Sequence, residues 1–271
     1  MATPVITFMS DYGLADEFVG ICHGVIATIC PEARVIDLSH GIPRHDVLAG
    51  AAILAGALPY LPAGVHIAVV DPGVGGRRRA VALRVADGRV LVGPDNGLLW
   101  PAAQRGGGIV EAIEISLSPL RLEPVSATFH GRDIFAPVGA HIAAGRPVAE
   151  TGTPLDPGEL VTLELPEAQV EAGRILAQVI YADRFGNVQL AATHADAEQA
   201  GLRLGREVEV RLASREVHTA RFVRTFADVK SGQLIVYEDA TRRLAIAFSH
   251  GNAAGRLRLS AGDEVIVAVA P

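Results

Sequence analysis

The chain has 271 residues, 49% of them hydrophobic and 20% charged, so it is long enough for one large domain or two ordinary ones and too apolar to be disordered. Its formal net charge of −6 gives no general pull toward nucleic acid or an anionic membrane surface. Mean hydropathy is +0.31, yet every apolar run is cut by Gly, Pro or charge well short of the ~20 residues that a membrane-spanning helix needs.

In chain order, residues 4–9 form a short β-branched and aromatic run that ends in a polar loop from Ser10 to Gly13, the pattern of a buried strand. A helix is predicted from Asp16 to Cys30 and is closed by Pro31, followed by a strand from Arg34 to Leu38. An Ala-rich helix spans Asp46 to Leu58, and strands follow at Val65–Val70, Ala80–Val85 and Arg89–Val92. Alternating strands and helices with continuous apolar strands predict an α/β domain of three layers with a mainly parallel sheet. Ligands of such sheets sit beyond the strand C-termini, which brings Asp11, Ser39, His40 and Asp71 under consideration together. Asp11 and Asp16 fall where a signal peptide would be apolar, so a cytoplasmic protein is expected. Cys22 and Cys30 lack a ligand cluster and read as reduced core residues.

Around residue 150 the texture becomes turn-rich, and beyond it helical periodicity is rare. Short strands recur at residues 174–182, 187–191, 207–212, 216–222, 233–237, 243–248 and 264–269, which predicts an all-β barrel-like domain. The expected division is 1–168 and 169–271. Before residue 166 there are 17 acidic and 11 basic residues, and after it 13 of each, so the whole negative excess lies in the first domain and favours a cationic substrate there. Aromatic residues make up 5% of the chain, which leaves few stacking platforms for single-stranded nucleic acid.

Six short strings carry the chemistry. VVDPGVG (residues 69–75) places Asp71 at a strand end before a glycine-rich turn and the arginines Arg77, Arg78 and Arg79; it lacks the lysine and spacing of a phosphate-binding P-loop. The arginines either solvate a hairpin or supply a partner for Asp71. TFHGRD (residues 128–133) sets His130 before a glycine and an apolar helix, a structural or a functional position. GPDNGLL (residues 93–99) is a turn. DRFGN (residues 183–187) and GNAA (residues 251–254) are either turns or carriers of amides that read a purine edge, because an amide both donates and accepts. FMSDYG (residues 8–13) holds Asp11.

These strings, in this order, resemble the S-adenosylmethionine (SAM) hydroxide adenosyltransferases, relatives of the fluorinase and chlorinase, across nearly the whole chain. The resemblance implies an α/β domain followed by a β-barrel-like domain that completes an adenosine site, and a homotrimer whose sites lie between neighbouring subunits. It implies attack of water or hydroxide on C5′ of SAM, giving adenosine and L-methionine. The hydrolytic Asp-Arg-His set falls on Asp71, Arg78 and His130, with Arg77 and Arg79 as the adjacent registers. Asp11 is implied for the ribose diol, Asp183 for the methionine amino group and Asn187 for the adenine edge, with Phe226 packing on the base and Asn252 as a further binding residue. Where relatives carry Ser-Arg for the methionine carboxylate this chain has Ala240-Thr241, and an aromatic position of relatives is His45. No cofactor is implied beyond SAM as substrate, and no metal-ligand spacing is present. The halogenases lack the Asp and His, so Asp71 argues for hydrolysis; the alternatives are a SAM-dependent halogenase and a non-catalytic SAM or adenosine binder.

Overall fold

A computed structural model of the protein describes residues 3–270. Val5–Ser10 (β1) buries Ile6 and Phe8 on one side and Thr7 and Met9 on the other, as a central strand covered on both faces must. Removing Phe8 fully from water contributes about 1.5–3 kcal/mol. There follow Phe18–Ile29 (α1), Arg34–Ser39 (β2) and Val47–Ala57 (α2), the last capped by Asp46, whose carboxylate accepts from Ala49 N at 2.9 Å. Val65–Val69 (β3) leads to the hairpin of Ala80–Val85 (β4) and Val90–Pro94 (β5). Trp100–Arg105 (α3), Ile109–Glu114 (β6), Ala136–Ala143 (α4) and the short Thr153–Leu155 (β7) complete the first unit.

These strands form one sheet in the order β2-β1-β3-β5-β4-β6-β7. The pairs β2–β1, β1–β3 and β3–β5 are parallel and the rest antiparallel, so only β4 and β7 run against the other strands and the sheet is mainly parallel. Helices α1 and α4 pack on the face that carries Ile6, Phe8 and Ile67. Helices α2 and α3 pair on the other, where a methyl at Gly50 would lie 3.1 Å from Val70. From β1 the chain passes through α1 to β2 on one side, then through α2 to β3 on the other, so the strand order reverses between β1 and β3. That reversal opens a crevice beyond their C-terminal ends, where Asp11 and Asp71 stand.

Contacts divide the described residues into two units whose boundary falls between Glu164 and Leu165. In the second unit Gln169–Glu171 (β8), Arg174–Ala182 (β9), Val188–Thr193 (β10), Glu207–Leu212 (β11), Val217–Phe222 (β12), Leu234–Glu238 (β13), Arg243–Phe248 (β14) and Glu264–Val269 (β15) form a sheet in the order β10-β14-β13-β12-β11-β15-β9-β8. The added pair β10–β9 closes seven of them into a barrel, with β8 outside on β9. Alternate residues point inward, among them Ile175, Ala177 and Val179 of β9 and Val208 and Val210 of β11. Two short helices, His194–Gln199 (α5) and Ala253–Leu257 (α6), interrupt the β pattern; α5 begins at a capping box of Thr193 and Asp196 that the apolar pattern does not announce. Among the described residues no helix is long and apolar enough to cross a membrane, and Cys22 and Cys30 are free and buried.

Candidate active site

The turn after β3 assembles the first group of predicted residues. Val74 N bonds Asp71 O at 3.2 Å and Gly76 N bonds Gly73 O at 3.0 Å, which folds the chain back into β4. Gly75 has φ 74°, and a Cβ there would stand 2.2 Å from the Ala127 carbonyl oxygen. Only glycine lets this turn lie flush on the 127–130 segment, and the contact brings together residues 52 positions apart. Arg78 Nε donates to both Asp71 carboxylate oxygens at 2.9 Å, and its Nη2 reaches Asp71 Oδ2 as well. The same Nη2 lies 2.7 Å from His130 Nδ1.

That last contact fixes a protonation state. A guanidinium has donors only, so Nδ1 accepts and the His130 ring is neutral with its proton on Nε2. Burial and then the Arg78 charge both hold the imidazole pKa below its ordinary value, consistent with that tautomer. Asp71 and Arg78 side chains are 5% and 11% exposed, so the pair sits where water screens it little. Arg78 is thus the arginine of the triplet that meets Asp71. Arg79 instead bonds Asp95 at 2.8 Å and Glu159, tying the hairpin to the unit's last segment, and Arg77 is exposed.

A cavity of about 390 Å³ opens at the crevice, with Asp11 and Asp71 in its wall; its size falls within the usual range for small-molecule sites. Asp11 Oδ2 accepts from His45 N at 2.9 Å, and His45, itself a wall residue, has a φ of 64°. Tyr12, Phe18 and Phe129 form an aromatic wall, their ring centroids 5.1–5.9 Å apart in edge and tilted contacts. Burial, reinforced by Cys22, Asp11 and Asp71, raises the Tyr12 phenol well above its ordinary pKa and keeps it neutral. Of the other strand-end candidates, His40 is buried against Ser10 at 2.7 Å, outside the cavity wall. Asn96 bonds Val70 O at 2.9 Å, which makes GPDNG the turn its residues suggest. Asp133 of TFHGRD is buried, pairs with Arg132 at 2.6 Å and accepts from Ser126 N at 2.7 Å, so that end of the string holds the loop together.

The second group lies in the second unit. Asp183 Oδ1 accepts from Phe185 N and Asn187 N, both at 2.9 Å, and Oδ2 accepts from Asn187 Nδ2 at 2.8 Å. Gly186 between them has φ 81°, and a Cβ there would meet Asn252 Oδ1 at 2.2 Å. Asn252 spends that oxygen on the α6 N-cap, accepting from Gly255 N at 2.6 Å. The rings of Phe226 and Tyr237 lie 4.9 Å apart. Burial first, then Asp183 and Asp239, push the Tyr237 phenol up. Thr241 donates to Asp239 at 2.8 Å and accepts from Gln189 at 2.9 Å, which leaves its hydroxyl engaged within the unit.

Sequence reasoning passed over Tyr12, Phe18, Phe129 and Tyr237. Tyr12 and Phe129 lie inside the quoted strings, but their place in the wall, like those of Phe18 and Tyr237, arises only through the tertiary fold.

A two-unit chain with an α/β crevice and an Asp-Arg-His chain that reaches its wall through Asp71 defines a class, and comparison with known proteins names it. Residues 6–152 match the family described as SAM hydroxide adenosyltransferase N-terminal domain, and residues 177–266 match its C-terminal domain. The chain belongs to this family. It is 49% identical to "(R)-S-adenosyl-L-methionine hydrolase" of Salinispora tropica over 267 residues, covering 98% of each chain. It is 31% identical to "Fluorinase" of an Actinoplanes species over 292 residues, covering 97% of each. A crystal structure of an uncharacterized conserved protein from Thermotoga maritima superposes with a TM-score of 0.90 at 33% identity, over 97% of this chain and 99% of that one.

Proposed function

We propose that this enzyme hydrolyses S-adenosyl-L-methionine to adenosine and L-methionine, with Asp71, Arg78 and His130 as the hydrolytic set. The observation that carries this reading is the Asp71–Arg78–His130 chain, with Asp71 in the wall of the crevice. Sulfonium leaves as a neutral thioether and needs no proton, so the difficulty lies with the nucleophile. Water attacks C5′ opposite sulfur, the C5′–O bond forms as the C5′–S bond breaks, and the released electron pair stays on the methionine sulfur. With the His130 Nδ1 engaged by Arg78, we assign to Asp71 the orienting of the water and the uptake of its proton, a contribution of about 10²–10⁴ in rate. Arg78 is a positioning residue that fixes the Asp71 rotamer; His130 holds the far side of the guanidinium. Fixed charges of this kind act more strongly in a closed site than in bulk water.

Asp11 takes the ribose diol, Asp183 the methionine ammonium and Asn187 the adenine edge, with Phe226 on the base and Asn252 bracing the loop through Gly186. We infer a cytoplasmic homotrimer in which the second unit, taken from residue 169, completes the adenosine site of a neighbouring protomer. The reaction as written needs no cofactor and no metal. The relatives' names specify an (R) form; a sulfonium is a stereocentre, and we take the (R) sulfonium epimer as the substrate here too.

The test is incubation of the pure protein with each SAM epimer in chloride buffer, with chromatography of the products. Adenosine, formed faster from the (R) epimer, supports the reading. 5′-Chloro-5′-deoxyadenosine supports a halogenase, against which the Asp71 carboxylate argues because it repels a halide. Unchanged ligand with measurable binding supports a non-catalytic binder. For the assembly, Asp71→Ala and Asn187→Ala chains are co-refolded and assayed at SAM well below the KM of Asn187→Ala; a shared site raises kcat/KM of the mixture above the average of the two parents, and mixtures that exchange subunits without that rise contradict it.

A further inference from the structure

We propose that His23, Asp37 and His40 form a binding site for a first-row divalent transition-metal ion of the zinc class, separate from the hydrolytic set. The three ligands come from three places: His23 from α1, Asp37 from the edge strand β2, and His40 from the loop that follows β2. His23 Nε2 and His40 Nε2 approach the same oxygen, Asp37 Oδ1, at 2.8 and 3.0 Å. All three donor atoms lie within 4.8 Å of one another.

His40 supplies the second, independent observation. Its side chain is 2% exposed and its Nδ1 is held by Ser10 Oγ at 2.7 Å. Nε2 is buried, and its 3.0 Å approach to Asp37 Oδ1 is not a well-aligned hydrogen bond, so nitrogen and carboxylate oxygen face each other around one point. A metal ion seated between them gives the buried nitrogen a directed partner that the misaligned contact does not. A hydroxyl on the far ring nitrogen is also the outer support that metal-bound histidines use to fix tautomer and ring orientation. The edge of Phe8 packs at 4.7 Å on the same ring and locks it further.

Two imidazoles and one carboxylate select the ion. Calcium and magnesium take oxygen ligands, whereas this set suits zinc, iron(II), cobalt or nickel, with open positions for water. Tetrahedral bonds of about 2.1 Å place donors about 3.4 Å apart, so the ligands must spread by about half an ångström. His23 and Asp37, 36% and 40% exposed, have room to move. The ion's role is a brace. Ser10 directly precedes Asp11, and Gly13 N bonds His40 O at 2.8 Å, so a metal on His40 stiffens the segment that carries Asp11 and Tyr12.

The experiment uses untagged full-length protein stripped with EDTA and titrated with Co²⁺ alone, followed by Zn²⁺ competition. The site predicts one Co²⁺ per chain with the strong visible bands of four- or five-coordinate cobalt, displaced by Zn²⁺. His23→Ala and Asp37→Asn, both at partly exposed positions, each weaken Co²⁺ binding by at least about 100-fold. Absence of bands at millimolar Co²⁺ overturns the proposal and leaves a hydrogen-bonded His-Asp-His cluster. Bands that survive both substitutions overturn it too.

Discussion

The two units hold their candidate residues in different ways. In the first, Asp71, Arg78 and His130 form a chain of charge whose links span 7 and 52 residues. It exists only because Gly75 lets one segment press on another. In the second, Asp183 and Asn187 form a self-contained turn four residues apart, closed by hydrogen bonds of its own. The first arrangement fixes a protonation pattern and suits chemistry; the second displays an amide and an aromatic ring and suits recognition. Substitutions in the Asp71–Arg78–His130 chain should therefore act on kcat, and those in the Asp183–Asn187 turn on KM.

The largest expected effect is that of Asp71→Asn, which lowers kcat by about 10²–10⁴ while ligand affinity by calorimetry stays within a few-fold. Asp71→Ala adds a stability loss of about 3–5 kcal/mol, because Arg78 is left buried and unpaired; urea melts of the two variants separate the effects. Asn187→Ala removes the amide bonded to Asp183 and raises KM about tenfold with kcat nearly unchanged, from the loss of about 1.4 kcal/mol in binding. A kcat loss matching that of Asp71→Asn breaks the division between the chain and the turn.

A smaller effect concerns pH. The folded-state pKa of His130 lies below its unfolded value of about 6.5, so the folded state binds fewer protons in that window. Its contribution to stability is present above about pH 6.5 and is lost as pH falls through the lowered value. Activity follows the same limb, because a protonated imidazole faces the Arg78 cation. His130→Gln should remove the acid limb with a midpoint below 6.5 from the kcat/KM profile. The smallest effect is that of the exposed Arg77→Ala, with stability within about 0.5 kcal/mol of wild type and turnover unchanged; a loss there shifts the assignment within the arginine triplet.

What was legible in the sequence follows the range of the interactions. The barrel strands announce themselves because alternate burial is a local pattern, and β11, β14 and β15 occupy the expected spans. Strands β7 and β8 are three residues each, too short to show a period, and β6 follows a run of three glycines and exposes Val110. Family resemblance placed Arg78 opposite Asp71. Nothing local reveals that Gly75 seats on Ala127 or that His23, Asp37 and His40 converge, since the latter meeting depends on how α1 crosses β2. Tyr12 and Phe129 were visible as residues but not as a wall, because a cavity is a property of the assembled crevice.

The central claim is that an Asp71-held water becomes the 5′-hydroxyl of adenosine. Turnover of SAM in ¹⁸O-labelled water, with mass analysis of both products, tests it most directly. The account predicts one ¹⁸O in adenosine at the 5′ oxygen and none in methionine; unlabelled adenosine, or a halogenated nucleoside in its place, contradicts it.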